Sequence, residues 1–410
     1  MIPSLANLGC DTGTPKRARS ERRTPILVDG EWVHHYRHAP LDDVSIRRAV
    51  GQLLDPGQLA AVTAEYGPVA EWDTSAVTSF FGLFDGIADF TADLSGWDVG
   101  NATSMGHMFL GATSFTSDLS QWDVGNVTDT SFMFYRATSF TSDLSRWNVK
   151  NVESIKYMFV GATSFTSDLS RWNVGKVYST THMFRGATSF TSDLSRWNVG
   201  DVKSMAGMFR GATSFNSDLS TWNVGNVEDM ENMFRGAISF NSDLSRWDVG
   251  KVTYTTDMFR DATSFTSDLS RWNVGKARNM AGMFDGATSF TSDLSRWNVG
   301  NVRNMQYMFR GATSFTSDLS TWNVGNVENM EHMFHGATSF NSDLSRWNVG
   351  KVTNTTGMFS DTASFDPPLE LGEDGGWTPE SLAQHVEFVE SSAVLKTYRA
   401  RRRWREVREL

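Results

Sequence analysis

Cysteine is almost missing from this chain. Cys10 is the only one in 410 residues, so no disulfide forms within the chain and packing alone must hold the fold. That suits a reducing compartment, and equally a secreted repeat array that needs no staples. No run of about 18 apolar residues occurs, which excludes a membrane-spanning helix. Excess positive charge is missing too. Against 37 Lys and Arg stand 47 Asp and Glu, for a net charge of −10. Residues 72–371 hold 22 basic and 31 acidic side chains, a net −9. Such a body lacks the basic stripe that nucleic acid requires, and no nucleic-acid partner is expected. Gly-rich phosphate loops, nucleophile elbows and kinase signatures are absent. Lys16, Arg17, Arg19, Arg22 and Arg23 have no apolar stretch beside them, unlike a secretory signal.

What is abundant is large apolar side chains: 15 Trp, 28 Phe and 18 Met. Twelve of the tryptophans, from Trp72 to Trp347, follow one another at intervals of 25 residues without insertion or deletion. Residues 297–321, WNVGNVRNMQYMFRGATSFTSDLST, are a complete unit. Counted from each Trp as offset 0, apolar residues recur at offsets 0, 2, 5, 8, 11, 12, 15, 18 and 22. Leu294, Trp297 and Val299 read as a short strand. Val302, Met305, Met308, Phe309 and Ala312 step by three or four, which reads as a short helix. Ser, Asn or Asp at offset 7 is the expected N-cap, with Tyr254 the exception. Gly at offset 14 is the expected left-handed C-terminal residue, replaced by Arg136, Asp261 and Asp361.

One strand and one short helix cannot bury their faces alone, whereas stacked copies can. The expected fold is therefore an α/β repeat solenoid, a coil with one short parallel strand and one short helix per repeat. At about 4.8 Å per coil it would be a rod on the order of 55 Å long. Each Trp would stand in a column, burying roughly 150–250 Å². Four parts are expected: a disordered basic N-terminus over 1–25, an N-terminal helical cap over 26–71, the solenoid over 72–371, and a C-terminal helical cap with a basic tail over 372–410. In the second part, Asp42 or Asp43 starts a helix carrying Ile46, Val50, Leu53 and Leu54. Asp55-Pro56-Gly57 breaks it before a second helix through Leu59, Val62 and Tyr66.

Residues 215–237, FNSDLSTWNVGNVEDMENMFRGA, resemble the repeat of BspA-like leucine-rich-repeat surface proteins. Arg48-Ala49-Val50, Tyr66-Gly67 and Glu71-Trp72-Asp73-Thr74-Ser75-Ala76-Val77-Thr78 resemble the entry to that repeat. The likeness covers about residues 43–366. It implies a leucine-rich-repeat-like right-handed coil and a role in surface display, adhesion or partner binding, without enzymatic activity. Cell-surface or extracellular location follows from the resemblance alone. Cytoplasmic or nuclear location is the alternative, with the basic termini serving an intracellular scaffold or nuclear adaptor.

The ligand-facing candidates flank each Trp, at offset 24 before it and offset 1 after it. They are Arg146 and Asn148, Arg171 and Asn173, Arg196 and Asn198, Arg246 and Asp248, Arg271 and Asn273, Arg296 and Asn298, and Arg346 and Asn348. Planar guanidiniums and amides at fixed spacing suit carboxylate, sulfate or sugar hydroxyls. The bland alternative has them bonding along the stack. Asp118 and its copies form a column of carboxylates that reads as turn chemistry, with Ca²⁺ binding the alternative. His107, His182 and His332 share offset 10, too far apart for one metal; His332 with His335, and His34, His35 and His38, lack a diagnostic ligand set. No cofactor, metal or catalytic residue is expected, the protein or glycan partner is unnamed, and the chain is expected to be a monomer. Offsets 6, 9, 10 and 13 change freely between copies, which marks them as exposed.

Overall fold

The computed structural model describes residues 22–28, 31–37 and 40–365. Strands β1 (Arg22–Val28) and β2 (Glu31–Arg37) pair antiparallel, with Arg22 opposite Arg37 and Val28 opposite Glu31. In sequence they are separated by Asp29-Gly30, a pair favoured in two-residue hairpin connections because both residue types tolerate positive φ. Two expectations are corrected here. The segment 26–71, expected as a helical cap, also contains most of these two paired strands ahead of its helices, and strand pairing begins at Arg22, inside the stretch expected to be disordered. The segment 372–410 lies outside the described residues.

Helices α1 (Ser45–Leu53) and α2 (Leu59–Tyr66) come next, separated by Asp55-Pro56-Gly57. Asp42 starts α1: its carboxylate accepts the N–H groups of Val44 and Ser45 at 3.1 and 2.7 Å. Ile46 and Val50 of α1 and Val62 and Tyr66 of α2 are buried. α1 lies against the first coil of the array. The Arg47 guanidinium donates to the carbonyls of Phe81 and Ser79 at 2.9 and 3.4 Å. Asp43 accepts the N–H groups of Thr78 and Ser79 at 2.7 and 3.0 Å, and the Thr78 hydroxyl at 2.7 Å. In later coils the equivalent backbone groups bond to a neighbouring coil. Here two side chains stand in for the coil that is missing.

From Trp72 onward the chain winds through stacked 25-residue coils. Neighbouring coils are tied by parallel bridges at offset 7, running from Ser79↔Ser104 to Asn329↔Asn354. Backbone N–H groups at offsets 8, 10, 12 and 14 donate to the coil above. Met105, His107, Phe109 and Gly111 bond to the carbonyls of Asp129, Ser131, Met133 and Tyr135 at 2.7–2.9 Å. The residues between them close turns within the coil, as Met108 N–H does onto Met105 and Leu110 N–H onto His107.

This differs from the helix expected after offset 7. Among the described residues the coils contain no α-helix. The reason lies at offset 10, where φ is positive in all twelve coils, from Gly82 at 62° to Gly357 at 59°. A right-handed helix cannot pass through a left-handed residue. His107, Phe132, Tyr157 and His332 accept that conformation although they are not glycine, because it turns alternate N–H groups toward the next coil. Apolar spacings of three and four are served as well by successive turns as by a helix. Offset 7 is accordingly the bridging residue and not an N-cap. Offset 14 is left-handed in all twelve coils, including Arg136, Asp261 and Asp361. The expected strand at Leu-x-x-Trp-x-Val is also absent: the Trp N–H closes a turn onto the preceding Leu, as Trp297 does onto Leu294 at 3.0 Å.

Side chains hold that part of the stack instead. The twelve indoles are only 1–4 % exposed. From Trp122 onward each Nε1–H reaches a leucine carbonyl of the preceding coil, as Trp172 does to Leu144 at 3.0 Å. Trp97 uses Val69 at 2.8 Å, so the entry segment imitates a coil. Phe109 and Phe115 stack at 3.9 Å within one coil, and Phe109 faces Phe134 of the next at 5.6 Å. An apolar void of about 10 Å³ lies where Ala277 takes a position held by Val252 and Val302 in the flanking coils. Among the described residues no helix is long and apolar enough to cross a membrane.

Candidate binding surfaces

The flanks of the Trp column are solvent-exposed at both offset 24 and offset 1, from Arg146 and Asn148 to Arg346 and Asn348. The two halves differ in freedom. Oδ1 of Asn173, Asn198, Asp248, Asn273, Asn298 and Asn348 accepts the N–H of the Gly two residues on, at 3.0–3.2 Å. These residues make their own turn, which leaves the asparagine amides one end for a ligand. Asn148 precedes Lys150 in place of that Gly. The arginines of the strip form no ion pair within the described residues.

The carboxylate column performs turn chemistry. Asp193 accepts the Ser195 N–H at 2.9 Å and the Ser217 hydroxyl of the next coil at 3.3 Å. Ser217 in turn accepts the Leu194 N–H at 2.8 Å. The same triangle recurs along the array. Bonds from the following Ser hold the carboxyls of Asp118, Asp143, Asp168, Asp193 and Asp218 below their ordinary range. Among the described residues no three His, Cys, Asp or Glu are grouped as a metal site would require.

Offsets 9, 10 and 13 carry what is not repeated. In the first five coils they build a column of rings: Phe81 to His107 at 5.0 Å, His107 to Phe132 at 4.6 Å, Phe132 to Tyr157 at 4.4 Å and Tyr157 to His182 at 5.1 Å. The column ends where His182 lies over Gly207, a position that a Cβ would block. Burial, and next the Arg185 charge, push the His182 imidazole below its ordinary range. From there offset 13 becomes Arg185, Arg210, Arg235 and Arg260 in successive coils, followed by the buried Asp285 and by Arg310. Arg310 grips Asp285 with two bonds of 2.8 and 2.7 Å, and Arg260 approaches it at 3.2 Å. Arg235 donates to Asp257 at 2.8 Å.

The single-residue reading of the sequence found these offsets variable but did not see the columns. The signal was available: reading down offset 10 instead of along the chain puts His107, Phe132, Tyr157 and His182 in consecutive coils. Among the histidines, His332 meets His335 edge-on at 5.3 Å and stacks on Tyr307 at 5.5 Å. The side chains of His34, His35 and His38 lie outside the described set.

A family model described as a Mycoplasma protein of unknown function, DUF285, matches five overlapping stretches: residues 58–172, 118–214, 162–272, 193–297 and 256–372. No curated protein matches the chain.

Proposed function

Because the chain belongs to the DUF285 family, a repeat family without an assigned activity, we propose a non-enzymatic role: it is an interaction protein of the BspA-like kind, a leucine-rich-repeat-like right-handed solenoid that presents its exposed positions to a protein or glycan at the cell surface. One observation carries this reading. The buried offsets repeat almost unchanged from coil to coil, while offsets 9, 10 and 13 on the same frame change from rings to guanidiniums to carboxylates. A rigid core under a non-repeating surface is what recognition of one partner uses. Catalysis needs unlike groups converging on a cavity, and most of the buried groups here are copies of one another. The Arg and Asn strip beside the Trp column is a second contact zone in this proposal. Intact cells expressing the full chain should label with a membrane-impermeant biotin reagent, and the purified chain should bind those cells' targets saturably. A chain protected from the reagent until the cells are lysed would sink the surface reading.

A further inference from the structure

The arginine column has an internal reference. Arg235 finds its carboxylate 22 residues on, at Asp257 in the next coil. The same step from Arg185 leads to Gly207, and from Arg210 to Asn232. Neither offers a carboxylate, and neither Arg185 nor Arg210 forms an ion pair among the described residues. The oxygen of Asn232 is engaged by Arg235 at 3.3 Å, and its amide donates to Glu231 at 3.1 Å. Backbone bonds of 2.7 Å, Gly186 N–H to the Arg210 carbonyl and Gly211 N–H to the Arg235 carbonyl, hold these arginines in register on adjacent coils.

We propose that Arg185 and Arg210 form an open carboxylate-binding pair that docks an acidic peptide segment of a protein partner. The inference rests on the reading of this chain as an interaction protein and names the chemistry of its partner. The partner's Asp or Glu takes the place that Asp257 and Asp285 fill further along the column, through charge-assisted and bidentate bonds. Roots one coil apart, about 4.8 Å, match acidic side chains spaced about 5–6 Å at i and i+4 of a helix. Arg210 is half-buried. Burial, followed by the like charges of Arg185 and Arg235, pushes its guanidinium below the ordinary range against the weaker attraction of Asp257, a cost that a directly bonded carboxylate removes. The neighbouring rings favour a peptide over a sugar. His182, three residues before Arg185, is covered by Tyr157 at 5.1 Å and lies over Gly207, so it offers no open face for a sugar to stack on. Ring edges are the electropositive part and attract carboxylates.

The test measures anisotropy of a labelled octaglutamate peptide with the full chain and three variants. Saturable binding to the unaltered chain is expected, weakening as salt rises. The double variant R185Q/R210Q should bind about tenfold more weakly or worse. The decisive variant is N232D. It places a carboxylate where Asp257 stands relative to Arg235, in the same left-handed backbone, φ 57° against 55°. It should lose a comparable factor, because the chain then occupies its own site, while its thermal midpoint stays within a few degrees of the unaltered chain despite the lost bond to Glu231. R303Q, whose arginine already pairs with Glu328 at 3.8 Å outside both proposed contact zones, should leave binding unchanged. Absent binding, or binding indifferent to both R185Q/R210Q and N232D, overturns the proposal. A sulfated oligosaccharide that displaces the peptide at lower concentration overturns the peptide assignment in favour of a glycan. Surface labelling is read separately: unlabelled cells with peptide binding intact defeat the display reading and leave the carboxylate pair standing.

Discussion

Trp222 and Trp247 lie parallel, their centroids 6.4 Å apart at an interplanar angle of 1°. Each indole N–H is held by a leucine carbonyl of the coil before: Trp222 by Leu194 at 2.9 Å and Trp247 by Leu219 at 3.0 Å. The column is therefore both the apolar filling and a hydrogen-bonded spine. Trp222→Ala should destabilise the chain by about 3–5 kcal/mol, the range for truncating a large buried ring. Trp222→Phe keeps most of the filling but drops the bond and should cost about 1–3 kcal/mol. Hydrogen exchange read coil by coil checks this. Protection should fall first around residues 194–247, and a uniform fall along the whole array would contradict a local spine.

Ser217 is 6 % exposed and joins two coils, accepting the Leu194 N–H and donating to Asp193. Ser217→Ala leaves a buried backbone N–H without its acceptor, which costs about 1–3 kcal/mol. Asp193→Asn keeps an acceptor for both serines and should cost less. Urea midpoints for the two variants decide the order, and a harmless Ser217→Ala would mean that water replaces the hydroxyl.

The carboxylate column sets the acid limit of the fold. Bonds from Ser195 and Ser220 hold Asp193 and Asp218 below their ordinary value of 3.8, and the same cause acts at the repeated positions. A carboxyl depressed in the folded chain stabilises it above the unfolded value, and the contribution disappears as pH falls through the folded value. Stability should thus hold from neutral pH to about pH 5 and fall below about pH 4. Asp257 and Glu231 are raised, chiefly by burial. They act in the opposite direction, since protonation relieves them, but they are fewer. Denaturant midpoints measured across pH 7 to 2 should drop at the acid end, less steeply in an Asp193→Asn, Asp218→Asn double variant. A midpoint that rises on acidification would contradict this assignment.

Asp43 and Arg47 close the first edge of the stack. Asp43→Ala frees the N–H groups of Thr78 and Ser79 together, and about 2–3 kcal/mol should be lost from the first coil, the scale of charged hydrogen bonds. An unpaired ladder edge also invites a second chain. Light scattering should therefore show self-association of Asp43→Ala that Arg47→Lys, which keeps a donor, does not share.

How much of this was legible in advance varies by residue. The burial of Trp72 through Trp347, the breaks at Asp55-Pro56-Gly57 and the left-handed glycines at offset 14 all follow from local chemistry read at a fixed period. The helix expected through Met305, Met308 and Phe309 does not exist, because its apolar spacing is equally that of successive turns. The deciding fact, a left-handed Tyr307, carries no local signal in that residue type. Arg185 and Arg210 looked like ordinary variable surface. That neither forms an ion pair of the kind joining Arg235 to Asp257 is visible only once the coils are stacked.

By itself, the order of residues determined that copies of one unit must lie over each other, since a 25-residue segment with nine apolar positions has no other way to bury them. It determined the core, the turn residues and the sites where change is free. The tertiary structure alone decided which backbone groups bond between coils and which exposed side chains become neighbours. Both are relations between residues 22–28 positions apart, and such distances have no expression in local preference, only in the hydrogen bonds and charges that meet once the coils are stacked.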